Sequence, residues 1–218
     1  MRIGWAVVAL AAAMLPGCGS STATTSTPQS SPSICADRTP ATPPQAVDQY
    51  CGRSIENLTE AWWQWAVAEP TATNPVSDKT GDICGKGQPQ DVWFLTGTTE
   101  GAAQRKCSIP ADRAIFFPVL NEICGSQSTQ CSQSDVEGGT TAATIDGVTL
   151  APRSSTSEPF LVNPVAGNPF VDRPGALSAK SYGLWILLRP LAAGTHVVKF
   201  SASKGRVHES AEYNLTVS

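Results

Sequence analysis

No apolar run in this chain is long enough to cross a bilayer as a helix. Residues 3–14 (IGWAVVALAAAM) are the strongest candidate, yet they fall well short of the roughly 20 residues a span requires. Charge is also scarce. Asp, Glu, Lys and Arg supply 15% of the 218 residues, with 15 basic and 18 acidic side chains for a formal net charge of −3. The absence of any basic patch or charge run argues against nucleic acid as a partner. No C-x-x-C pair occurs, and neither histidine, His196 nor His208, lies near a cysteine, so zinc-ligand spacing is missing. No G-x-S-x-G elbow is present, and no cofactor is expected.

What the chain does have begins with Arg2, the short apolar stretch and then Leu15-Pro16-Gly17-Cys18. This order resembles a bacterial lipoprotein signal, with Pro16 as a departure from the usual small residue. Residues 1–17 are then a signal peptide, and Cys18 becomes the lipidated first residue of the mature chain. A diacylglyceryl group, with acyl chains of the palmitate kind, holds a protein to a membrane more firmly than a single chain does. The expected partner is therefore membrane lipid, and the expected location is the extracytoplasmic face of the cell membrane or outer membrane. Plain secretion and a retained anchor are the alternatives.

Cysteine parity agrees with lipidation. Seven cysteines are an odd set; with Cys18 acylated, Cys35, Cys51, Cys84, Cys107, Cys124 and Cys131 remain. Six can close three disulfides in an oxidising compartment, and local spacing suggests Cys35–Cys51, Cys84–Cys107 and Cys124–Cys131. A loop of about fifteen residues closed this way contributes roughly 3 kcal/mol.

Residues 18–46 are rich in Ser, Thr and Pro, too polar to bury a core, and read as a disordered tether. Its flexible length reaches on the order of 30 Å. Residues 47–218 are the size of one domain. Asn57-Leu58-Thr59-Glu60 has the form of a capping box ahead of a helix carrying Trp62, Trp63 and Trp65. Those indoles either stack on a sugar or pack the helix against a sheet. Asp78 and Asp82, in a turn-rich loop, are solvated turn carboxylates or else cation or ligand contacts without EF-hand spacing. Residues 91–97 and 114–120 suit buried strands, with Pro118 confined to an edge, bulge or strand end. Asp146-Gly147 marks a hairpin. Residues 152–182 read as a long irregular segment covering part of the core. Residues 183–189 suit a central strand, and the stretches after Gly194 and after Arg206 alternate apolar with polar. The fold expected is mainly β, an antiparallel β-sandwich of Ig-like or jelly-roll-like kind with one N-terminal Trp-rich helix.

The order Trp62-Trp63-Gln64-Trp65, Asn74-Pro75, Asp78, Gly81, Cys84, Gln88, Val92-Trp93-Phe94-Leu95-x-Gly97, Arg105-x-Cys107-x-Ile109-Pro110, Phe116-Phe117-Pro118-Val119-x-Asn121, Pro190-Leu191-x-x-Gly194-x-His196 and Tyr213-Asn214-Leu215-Thr216-Val217 resembles an uncharacterised family of secreted bacterial proteins. The resemblance spans most of residues 54–218 and implies no activity. Similar proteins carry further histidines after the position of His196, where this chain has Lys199 and Ser201.

Three readings follow. The first is a lipid-anchored envelope module, non-catalytic, that binds a glycan or an envelope protein. The second is an envelope carbohydrate-active hydrolase using a carboxylate pair. The third is a metal-binding lipoprotein that joins His196 and His208 with Glu209 or Glu212.

Overall fold

A computed structural model describes residues 35, 38–99, 101–129, 131–205 and 207–218. The expected signal peptide, Cys18 and residues 19–34 of the expected tether lie outside the described residues. The described part belongs to one unit, Ser33–Ser218. In chain order its elements are β1 Gln49–Tyr50, β2 Arg53–Ser54, α1 Ile55–Ala66, β3 Val92–Phe94, β4 Gly101–Ile109, β5 Ala114–Gly125, α2 Gln133–Val136, β6 Thr140–Ile145, β7 Val148–Thr149, β8 Arg153–Thr156, β9 Phe160–Val162, β10 Leu177–Leu188, β11 Gly194–Lys204 and β12 Val207–Val217.

β1 and β2 pair with each other, and the other ten strands form two five-stranded sheets, as a mainly β sandwich requires. One has the order β3-β5-β10-β8, with β9 also pairing β10; the other has the order β4-β12-β11-β6-β7. Most pairs are antiparallel, but β3–β5 and β4–β12 are parallel. The β3–β5 pair is parallel because the chain leaves the first sheet after β3, adds β4 to the second, and returns as β5.

The first sheet is covered on both faces. Ile115, Phe117, Ile186 and Leu188 face the second sheet, where Val198, Phe200, Ala211, Tyr213 and Leu215 complete the inner core. Ala114, Phe116, Trp185 and Leu187 face the other way, against Leu58, Trp62 and Trp63 of α1. That double burial is why residues 183–189 read as an unbroken apolar run. The second sheet alternates instead, with Ala211, Tyr213, Leu215 and Val217 buried between exposed or half-buried neighbours.

Local chemistry sets the elements. Ser54, rather than Asn57, caps α1, its hydroxyl accepting from the Asn57 amide at 3.4 Å. Starting the helix there brings Ile55 into its first turn, buried along with Leu58. At the other end, the Asn74 and Asn168 side-chain amides each donate to the Ala66 and Glu69 carbonyls, meeting acceptors that a helix terminus leaves over. Asp146 and Gly147 take φ of 49° and 80°, the left-handed pair that a two-residue hairpin demands. Pro118 sits at a bulge: Leu184 pairs Leu120 and Trp185 pairs Pro118, leaving Val119 as the extra residue.

The three disulfides are Cys35–Cys51, Cys84–Cys107 and Cys124–Cys131, as the spacing suggests. The tether boundary needs correction. Ala41 donates to the Pro190 carbonyl, Arg38 pairs with Asp112 at 2.6 Å, and Ala46 bridges Leu188, so residues 38–46 run along the domain. Backbone hydrogen bonds offset what their polar composition fails to bury. Residues 152–182 likewise contain order, since β8 and β9 both pair with β10.

Trp185 stacks on Phe116 with ring centroids 5.0 Å apart, and a Cβ at Gly183 would overlap the Trp185 indole nitrogen. Gly183→Ala is expected to lower unfolding free energy by about 2–3 kcal/mol, the cost of overpacking a closed core. Urea denaturation monitored by tryptophan fluorescence measures it.

Candidate ligand-binding site

The site is built on an arginine with no carboxylate partner. Arg105, on β4, is 1% exposed. All five of its N–H donors are used. Nε donates to the Asp78 carbonyl at 2.7 Å, and Nη2 to those of Val76 and Gly97 at 3.1 and 3.0 Å. Nη1 donates to the Thr96 carbonyl and to the Tyr213 hydroxyl at 2.7 Å. Tyr213 in turn donates to the Thr96 carbonyl at 2.8 Å and accepts from the Thr96 amide at 3.0 Å. Burial pushes the Tyr213 phenol above its ordinary pKa, although the Arg105 charge opposes the shift. One guanidinium thus joins the loop after α1, the crossover from β3 and strand β12.

Asp78 shapes the first of those segments. Its Oδ1 accepts from the Thr80 and Gly81 amides and its Oδ2 from Ile83, at 2.9–3.0 Å. Burial raises the Asp78 pKa, but those backbone donors outweigh it and leave the carboxyl below its ordinary value. Thr80 bridges Asp78 to Asp82 through its hydroxyl. Both aspartates, whose sequence leaves turn and ligand roles open, are therefore occupied in holding a loop that docks on β4 through Lys106 N–H to the Thr80 carbonyl.

Above this knot lies a cavity of about 150 Å³. Thr96 and Gly97 from the crossover, Asn121 from β5, Glu209 from β12, Trp62 from α1 and Phe170 line it. Thr96 is 2% exposed, and its Oγ is buried without a protein partner; the Asn121 Nδ2 is likewise buried and unpaired. Glu209 reaches in beside Gly97, where any Cβ would lie 3.2 Å from its Oε2. Burial pushes its carboxyl up to about 7, against a backbone hydrogen bond from Thr98 that acts the other way. Among the residues lining this cavity, Glu209 is the one carboxylate.

A larger groove of about 780 Å³ shares Phe170 with the cavity. Ile123, Val162, Val171 and Leu177 make it apolar, with Asp172 and Arg173 at its margin. Asn168 sets this wall, its Oδ1 accepting from the Phe170 and Val171 amides at 2.9 and 3.1 Å. Concave, largely apolar clefts with a few convergent polar groups are where small ligands bind.

Other sequence candidates fall elsewhere. Trp62 and Trp63 are 1% and 2% exposed, and their indole nitrogens donate to the Leu95 carbonyl and the Ser181 hydroxyl. Neither offers an open ring face for a sugar: Trp63 packs in the core, and Trp62 packs in the core while also bordering the cavity. Trp65 is half-buried and donates to the Lys86 carbonyl. His196 engages Asp146 at 2.7 Å and the Ala192 carbonyl at 2.9 Å, using both ring nitrogens. His208 meets Ser203, seven residues along β11 from His196, a separation of about 23 Å. The two cannot share a metal, and Glu212 pairs with Lys199. Among the described residues, Glu122, Cys124 and Cys131 bring three ligand-type atoms together, but both sulfurs belong to a disulfide. No pattern in the sequence links Thr96, Asn121 and Glu209, because the fold alone makes them neighbours.

Two outcomes are expected. Tyr213→Phe strands donors of Arg105 and Thr96 and lowers stability by about 2–3 kcal/mol, measured by chemical denaturation. Glu209 holds its proton more tightly folded than unfolded, so stability declines as pH rises from 4.5 to about 7 and is level beyond. Glu209→Gln removes that decline and is the more stable protein at pH 8, by on the order of 3 kcal/mol at most. Thermal melts across pH 4–8 test the slope.

No protein-family model and no curated protein matches this chain. Among solved structures, a cysteine protease inhibitor from Entamoeba histolytica is similar over 57% of this chain and 93% of its own, at 17% identity and a TM-score of 0.25.

Proposed function

We propose that this protein is a lipid-anchored, extracytoplasmic module of the cell envelope that binds a ligand at the joined cavity and groove around Phe170. The observation that carries the placement is cysteine pairing. The six cysteines from Cys35 to Cys131 close three disulfides among themselves, so none of them is left to pair with Cys18 in its lipoprotein-like context. Stable disulfides favour an oxidising compartment, which supports the same side of the membrane. Residues 38–46 dock on the domain, so any tether lies before them.

Binding is favoured over turnover by the carboxylate arrangement. Hydrolysis of a glycosidic bond calls for two carboxyl groups facing each other across the substrate, whereas Glu209 is the one carboxylate of the cavity lining and Asp172 belongs to the groove. The partner on this reading is an envelope glycan or an envelope protein. A metal role finds no support in the separated histidines.

Cys18→Ser tests the anchor. In the native host, the unaltered chain is expected to incorporate a clickable palmitate analogue and sediment with membranes, and the variant to do neither. Equal labelling or equal sedimentation of the two would refute lipidation at that sulfur.

A further inference from the structure

We propose that the small cavity takes the acetamido group of an N-acetylated amino sugar, an assignment that rests on the binding reading above. The three polar groups in the lining set the requirement. Glu209 offers a carboxyl oxygen that accepts a hydrogen bond whether or not the group is ionised. Asn121 Nδ2 and Thr96 Oγ are donors buried without a protein partner, and buried polar atoms are seldom left so. A ligand that satisfies all three presents an N–H beside a carbonyl oxygen. Pro118, Leu120, Trp62 and Phe170 form the rest of the lining, which suits a methyl group.

Charge narrows the class further. The Arg105 guanidinium is bonded to the carbonyls of Thr96 and Gly97 in the cavity wall, which opposes a cation. The Glu209 carboxyl opposes an anion once ionised. A neutral secondary amide fits both constraints. A cavity of about 150 Å³ admits such a substituent but not a disaccharide, so the sugar it hangs from lies toward Phe170 and the adjoining groove. There Asp172, Arg173, Ser126 and Ser178 are available to ring hydroxyls.

The test is saturation-transfer NMR on the full lipidated chain in detergent micelles, with N-acetylglucosamine, glucosamine, glucose and N-acetylalanine methylamide as probes. N-acetylglucosamine is expected to bind at least about tenfold more tightly than glucosamine or glucose, with its acetyl methyl the most strongly saturated proton. Thr96→Val and Asn121→Leu each weaken it by about tenfold, Thr96→Ser retains it, and near-UV circular dichroism verifies that each variant is folded. Equal binding of glucose, a silent methyl, or binding of the alanine amide with the sugar silent would each overturn the acetamido-sugar assignment. Glucose or glucosamine binding as tight as that of N-acetylglucosamine, yet lost in Phe170→Ala, overturns this assignment alone. Silence toward every sugar and peptide probe overturns the binding reading as well.

Discussion

A guanidinium buried among carbonyl oxygens is the constraint on which this molecule turns. Removing a charge from water costs several kcal/mol unless its donors are met, and Arg105 meets the condition with backbone and phenol oxygens alone. Because four of those acceptors belong to loop or crossover residues, segments that would otherwise fray are fixed to β4 and β12. The Thr96 carbonyl and amide are both consumed in the same network. Its hydroxyl is the polar atom left over, and it belongs to a residue of the cavity lining.

The helix completes the arrangement from the opposite side. Trp62 donates its indole N–H to the Leu95 carbonyl one residue before Thr96, while its ring packs edge-on against Trp185 and Phe170. A single side chain therefore spans the outer core, the crossover and the cavity wall. The Asn168 amide carries the same logic further, tying the end of α1 to the loop that presents Phe170. Rigid elements with interlocking hydrogen bonds are what hold a recognition site to fractions of an ångström.

Much of the fold could be read from residue pattern. The Asp146-Gly147 turn, the double-faced strand around Trp185, the alternation of β11 and β12 and all three disulfides follow from local periodicity and spacing. Strand β4 does not, and Arg105 is the reason: a charged residue at an inward position between Ala103 and Cys107 breaks the alternation that identifies a half-buried strand. Asp78 and Asp82 left two readings open, cation contacts or turn carboxylates, for a related cause. Carboxylates that order a loop through backbone amides have the same composition as those that hold an ion. The cavity was the least legible part, since Thr96, Asn121 and Glu209 converge only through the parallel pairing of β4 with β12 and the open edge of β5 beyond Phe116.

That parallel pairing also bears on how the molecule is made. Strand β12 lies between β4 and β11, so a ribosome must deliver residues 207–217 before β4 gains a strand partner, whereas β11 can pair with β6 earlier. Until then β4 has no strand beside it, and Arg105 lacks the Tyr213 phenol. Contacts this distant in sequence slow folding. A chain whose inner core waits on residues 207–217 stays loose until that stretch has been made.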